Sequence, residues 1–319
     1  MVRYKLVTMI KKDLISIIIP VYNRSDLIVE TLKSIEHQSY SNFECVLIDD
    51  GSTDNSIAII SDFIKKDERF LLYKRPENKI KGANSCRNYG FEMSKGTYIN
   101  WFDSDDIMHP DFIRNKMAAF ENADVVISKV CYFKDSIQNI IGFEDRTKSS
   151  DNIFEDFVTL KISWHLPDPL WKRSFLTGKQ LFREELKKGQ DRDLFIRLLL
   201  DNPKIIFIDE YLTYYRQHSD TISNTFSIDV IESYFDALNK TIELILKNKP
   251  SKELKLFLLK LQVKNYRYLY SKKNSFYSFI KVFKTLFVFD IKNLKWFFKF
   301  LIASILYNTI GKGSILLRG

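Results

Sequence analysis

Three carboxylates within four residues, Asp103, Asp105 and Asp106, follow directly on the apolar run Thr97-Tyr98-Ile99-Asn100-Trp101-Phe102. Like charges this close repel unless a cation neutralises them, and hard oxygen ligands suit Mg²⁺ or Mn²⁺. Because Mg²⁺ takes only one or two protein carboxylates and fills its shell with phosphate oxygens, the cluster points to a substrate bearing a diphosphate. Taken alone, the same run also reads as a solvated acidic turn before a helix that begins near Pro110. A second acidic edge, Asp49-Asp50-Gly51-Ser52-Thr53-Asp54, closes the apolar run Phe43 to Ile48. An acid there can accept hydrogen bonds from a nucleobase N–H or from ribose hydroxyls, and Gly51 lets the backbone turn close beside it. The alternative is a plain turn with Ser52 or Asp54 as helix N-cap.

These residues need a frame that brings strand ends together. Short apolar runs alternate with helical stripes: Ile15 to Pro20, then Leu27, Ile28, Thr31, Leu32 and Ile35; Phe43 to Ile48, then Ile57, Ile60, Phe63 and Ile64. Phe70 to Tyr73, a helix over Ala83 to Met93, and Thr97 to Phe102 continue the pattern. Repeated strand-helix units imply a parallel sheet covered on both faces, with ligands bound beyond the carboxyl ends of its strands. Further strands are expected over Asp124 to Val130, Ile205 to Ile208 and Tyr211 to Arg216, with a helix over Arg192 to Leu200.

With 319 residues and 45% hydrophobic content the chain can build a full core, which excludes disorder as its main state. Cys45, Cys86 and Cys131 lie far apart and form neither a disulfide framework nor a zinc knuckle, which fits a reducing compartment. Neither a phosphate-binding Walker loop nor a GxGxxG is present. The net charge is +9, but residues 271 to 319 alone hold nine Lys or Arg against Asp290. The body is nearly neutral, so no nucleic-acid groove is expected.

Four segments stand together in a known order and spacing: Ile17-Ile18-Ile19-Pro20-Val21-Tyr22-Asn23, Asp49 to Asp54, Arg87-Asn88-x-Gly90 and Asp103-Ser104-Asp105-Asp106. In these the chain resembles the family 2 glycosyltransferases over about residues 14 to 220. The resemblance implies an α/β GT-A fold: a Rossmann-like, mostly parallel central sheet flanked by helices, here with a C-terminal helical extension. It also implies a nucleotide-diphosphate sugar donor, commonly a UDP-sugar, and Mn²⁺ or Mg²⁺. Residue by residue, Pro20, Tyr22 and Asn23 fall in the nucleotide-binding segment, with Tyr22 packing on the base or ribose and Asp50 contacting the base. Asp103 and Asp105 become the ribose and metal ligands, Asp105 the direct one. Arg87 either faces phosphate or pairs with Asp103 or Asp49. Gly189-Gln190-Asp191 resembles the stretch whose Asp opens a helix and serves as catalytic base, although Gln190 replaces the usual Glu. Arg216 and His218 resemble a late loop that closes over the diphosphate, with His218 also able to complete the metal shell. Trp164, His165 and Trp171 are candidates for the acceptor pocket, through aromatic faces on sugar C–H surfaces; Trp171 equally suits a buried core.

The expected organisation is a catalytic domain over residues 1–225, nucleotide half about 14–106 and acceptor half about 107–225, then a helical extension over 226–270 and a basic aromatic tail over 271–319. In the tail Phe276, Phe279, Ile280, Phe283 and Phe287 share one helical stripe, and Lys292, Lys295 and Lys299 share one face. The longest uncharged stretch, Phe300 to Gly311, is 12 residues and too short to span a bilayer. Residues 276–319 are therefore expected to lie on an anionic membrane surface, placing the protein peripherally on the inner face of the cell membrane. Packing on protein or on a second subunit is the alternative. The activity expected is an inverting, metal-dependent transfer of a sugar to a hydroxyl of a glycan or lipid-linked acceptor, in surface polysaccharide synthesis. The rival readings are a non-catalytic membrane-associated scaffold, hinted at by Gln190, and a sugar nucleotidyltransferase, which lacks its Gly-rich phosphate loop.

Overall fold

The computed structural model describes residues 13–217 and 228–273, together with the helical residues 298 and 302. His218 and the tail stripes expected over 276–319 lie outside the described residues, apart from Phe298 and Ile302, which are exposed.

The chain forms two compact units. The first, residues 1–149, 163–184 and 203–218, carries the sheet. Its strands are β1 (Ile15–Val21), β2 (Phe43–Asp49), β3 (Phe70–Lys74), β4 (Tyr98–Trp101), β5 (Ile107–Met108), β6 (Val125–Lys134), β7 (Ser136–Phe143), β8 (Pro169–Lys172) and β9 (Ile205–Arg216). They run in the order β3-β2-β1-β4-β8-β6-β9-β5, with β7 added on β6. The first four are parallel, β8 is antiparallel to both its neighbours, and β6 and β9 are again parallel. Helices α1 (Ile28–Glu36), α2 (Ser56–Ile64), α3 (Ala83–Met93), α4 (Phe112–Ala119) and α6 (Arg173–Leu176) belong to this unit.

Every residue of β1 and β2 is buried, as the unbroken apolar runs require of strands covered on both sides. Ile15, Ile17 and Ile19 join the Ile28, Leu32 and Ile35 stripe of α1 in the main core. On the opposite face α3 lies so close that a Cβ on Gly90 would stand 2.3 Å from Ile18 Cγ2. That contact explains why glycine ends the Arg87-Asn88-x-Gly90 pattern. The three cysteines are buried and unpaired, and burial pushes the Cys86 and Cys131 thiols up to about 12 and about 11.

The second unit, residues 150–162, 185–202 and 219–319, is helical where described: α5 (Ile153–Val158), α7 (Gln190–Leu199), α8 (Ile228–Lys247) and α9 (Lys252–Lys273). The expected boundary at 225 does not coincide with this division, because two segments from before it pack with the later helices. Phe157 of α5 meets Phe195 of α7, and Asp193 of α7 accepts a hydrogen bond from Thr241 of α8 at 2.7 Å.

Candidate functional site

The carboxyl ends of β1, β2 and β4 are stitched together by polar side chains. β4 accompanies β1 only as far as Ile18, so the missing N–H of Pro20 falls beyond that ladder. Asn23 turns through φ 50° and zips the end of β1 to the end of β2. Its N–H donates to Ser52 Oγ at 3.1 Å and its Oδ1 accepts from the Thr53 N–H at 2.8 Å. Asp49 accepts the Gly51 and Ser52 N–H groups at 3.0 Å each, and Gly51 sits at φ 87°, where an L side chain is strained. Asp50 is buried and gripped by Arg75, whose Nη1 also holds the Pro76 and Lys79 carbonyls. Tyr22, 42% exposed, presents its ring at this edge with Lys81 Nζ 4.3 Å from the centroid.

After β4 the three aspartates have different jobs. Asp103 accepts from Arg87 Nη2 at 2.8 Å, the ion pair that is one of the two readings of Arg87. Burial raises the Asp103 pKa; Arg87 opposes that and the Asp105 charge adds to it. Asp105 stays partly exposed, with Arg24 Nη2 3.4 Å away. Asp106 is buried, and its Oδ1 accepts the Arg216 N–H at 2.8 Å while Oδ2 has no hydrogen-bond partner. Burial, then Asp105 and Asp103, push its pKa well above the ordinary aspartate value. Asp106 is therefore a structural acid, and Asp103 and Asp105 remain as the pair able to take a cation. Among the described residues no group of three or more His, Cys, Asp or Glu side chains forms a metal cage. Two mutually repelling hard carboxylates still fit an ion that draws its other ligands from phosphate oxygens.

Arg216 does not reach out for phosphate as the late-loop resemblance implies. Its Nε donates to the Asp105 carbonyl at 2.8 Å, Nη1 to the Asp135 carbonyl at 3.3 Å and Nη2 to Glu30 of α1 at 2.6 Å. The buried guanidinium also lies 4.6 Å over the Phe133 ring. All three nitrogens are engaged, so the residue buttresses the aspartate loop.

The acceptor candidates separate by burial. Trp171, 1% exposed, stacks on Phe175, and Trp164 packs edge-on against Phe207 in the interior. Both side chains are buried, so neither indole offers an exposed face to a sugar. His165 is half-buried, forms a three-ring cluster with Tyr132 and Tyr215, and places Nε2 2.8 Å from the Tyr132 hydroxyl. Asn88 is also structural: it donates to the Phe182 carbonyl and to Glu184, and accepts the Phe182 N–H at 3.0 Å.

In the second unit Asp191 and Asp193 share the first turn of α7 after Gly189 at φ 73°. Asp193 is buried and committed to Arg197 at 2.8 Å and to Thr241. Asp191 is the half-buried acid of that turn, next to the positive end of the helix dipole.

Sequence reasoning missed Arg24, Arg75 and Lys81. Arg24 carried a weak signal, a cation directly after the Tyr22-Asn23 strand end.

The family model described as Glycosyl transferase family 2 matches residues 16–168. Glycosyltransferase GlyG of Streptococcus pneumoniae is 32% identical over 230 residues, 67% of this chain and 74% of that protein. The chain belongs to glycosyltransferase family 2. A second S. pneumoniae relative, glycosyltransferase GlyA, is 29% identical over 248 residues, 74% of this chain but 35% of GlyA, so this family 2 chain spans about a third of that protein's length. Among solved structures, S. aureus TarS 1-349 in complex with UDP-GlcNAc superposes with a TM-score of 0.64 at 19% identity, covering 85% of this chain and 79% of that 1-349 chain. The family 2 transferase thus has the GT-A fold.

Proposed function

We propose that this glycosyltransferase moves a sugar from a nucleotide-diphosphate sugar, a UDP-sugar first, to a hydroxyl of a glycan or lipid-linked acceptor in surface polysaccharide synthesis, inverting the anomeric centre. The observation that carries this reading is the partly exposed Asp103–Asp105 pair at the end of β4, beside the strand ends that present Tyr22 and Asp50. The UDP-GlcNAc complex of the TarS structure supports the donor class.

Tyr22 would stack on the base or ribose and Asp50, oriented by Arg75, would accept its N–H. Arg87 and Arg24 hold Asp103 and Asp105 in place. Asp103 and Asp105 would hold Mn²⁺ or Mg²⁺, which would supply charge neutralisation for the departing diphosphate. His165 orients the acceptor. Asp191 removes the acceptor hydroxyl proton as that oxygen attacks the anomeric carbon opposite the nucleotide, and a single displacement inverts the centre.

Asp191→Asn is expected to bind UDP-sugars with unchanged affinity while losing at least about 10²-fold in turnover. Asp105→Ala is expected to weaken donor binding and the Mn²⁺ response together. Calorimetry and a UDP-release assay across a sugar-nucleotide panel read both, and robust turnover by Asp191→Asn would place the base elsewhere.

A further inference from the structure

The ring of Tyr22 is covered by a cation that no acid holds. Lys81 is exposed, and among the described residues it makes no ion pair, while its Nζ rests 4.3 Å from the Tyr22 centroid. The chain before it is pinned: Arg75 holds Asp50 together with the Pro76 and Lys79 carbonyls, and Lys79 pairs with Glu92 at 2.9 Å. The chain after it turns at Gly82, φ 145°, where a Cβ would meet no atom within 4 Å. Between anchor and pivot stand only the exposed Ile80 and Lys81, and the first turn of α3 contains no acid to compete for the ammonium. An ammonium over an exposed aromatic face is held weakly and exchanges readily for a charged oxygen.

Two recognition chemistries therefore meet at one point: a flat aromatic face that suits a nucleobase, and an uncommitted cation that suits a phosphate. We propose that Lys81 is a donor-binding residue that exchanges partners, yielding the Tyr22 face to the base and moving its ammonium onto the phosphates, so that the site prefers nucleoside diphosphates to nucleosides. This rests on the nucleotide-sugar reading above and adds the residue that discriminates by phosphate charge. Neutral Met keeps most of the length of the Lys stem, so Lys81→Met separates charge from bulk, and Lys81→Arg restores the charge.

The test is calorimetric titration of the full chain with UDP and with uridine, in the presence of Mn²⁺, for wild type and both variants. Lys81→Met is expected to weaken UDP about tenfold while uridine binds as well or more tightly, and Lys81→Arg is expected to recover most of the UDP affinity. Thermal melting checks that the surface substitutions leave the fold intact. Equal changes for the two ligands, or unchanged UDP affinity, would overturn the role of Lys81 while leaving the donor reading standing. Failure of wild type to bind UDP, GDP or dTDP would overturn both.

Discussion

Arg216 shows how one residue can brace the aspartate loop through its own hydrogen bonds. Its backbone N–H fixes Asp106, its Nε fixes the Asp105 carbonyl, and its fork is closed by Glu30. Hydrogen bonds to charged groups contribute about 1.5–3 kcal/mol each, enough to hold a loop whose acids repel one another. Arg216→Lys keeps the charge but loses the planar fork. The expected result is about a tenfold rise in the Mn²⁺ concentration needed for half-maximal activity, at a donor affinity unchanged once the metal is saturating, since tenfold is about 1.4 kcal/mol of loop positioning. Glu30→Gln should move the same quantity less. A metal titration of UDP release reads it, and a loss of donor affinity at saturating Mn²⁺ would mean that the guanidinium meets phosphate after all.

Among the elements, legibility followed the chemistry of burial. β1, β2 and β4 are readable because an apolar run ends abruptly in turn residues, and α7 because Gly189 and two acids mark its start. β9 reads as two strands because Asp209 and Glu210 interrupt it; both acids are exposed, and the pairing with β6 shifts register there, Ile127 opposite Phe207 and Lys129 opposite Tyr211, so the strand continues through an irregularity. β7 is opaque because its Ile137, Ile141 and Phe143 stay exposed, giving no buried alternation. In the candidate site, residue types pointed to the acids Asp103, Asp105 and Asp50 and the family resemblance to Tyr22, whereas their cationic neighbours Arg24, Arg75 and Lys81 carry no local period that announces such pairings. Lys116 of α4 is a sharper case, a residue that sequence reasoning passed over: it is fully buried, donating to the Asp168 carbonyl and lying 4.1 Å over Phe112. Burial lowers its pKa to about 7, against the pull of Asp168. A lowered lysine pKa means that the unfolded chain binds the extra proton above pH 7, so stability rises as pH climbs from there toward the unfolded value. Wild type should therefore gain melting temperature relative to Lys116→Met between about pH 6.5 and 8.5, below the ordinary thiol titration. Parallel melting curves across that window would show that Lys116 keeps its ordinary pKa.

At the scale of the whole molecule, charge is the least evenly shared property. Residues 271–319 carry +8 of the net +9, which leaves a nearly neutral body. Among the described residues no helix is long and apolar enough to cross a membrane. A chain that moves sugar onto a lipid-linked acceptor must still meet that acceptor at a bilayer surface. On the membrane proposal, the Phe and Lys residues interspersed over 276–299 would meet that surface, aromatic rings at the acyl boundary and ammonium groups at anionic headgroups. Each lysine near such a surface contributes about 1 kcal/mol, so changing Lys292, Lys295 and Lys299 together to Gln should weaken binding to phosphatidylglycerol vesicles about a hundredfold. The wild-type interaction should also fade as salt shortens the screening length. Vesicle sedimentation of the full chain measures both effects, with activity on a water-soluble acceptor as the control that the transferase itself is intact. If wild type and variant sediment alike at low salt, the lysine face packs on protein, and the acceptor must be delivered by another route.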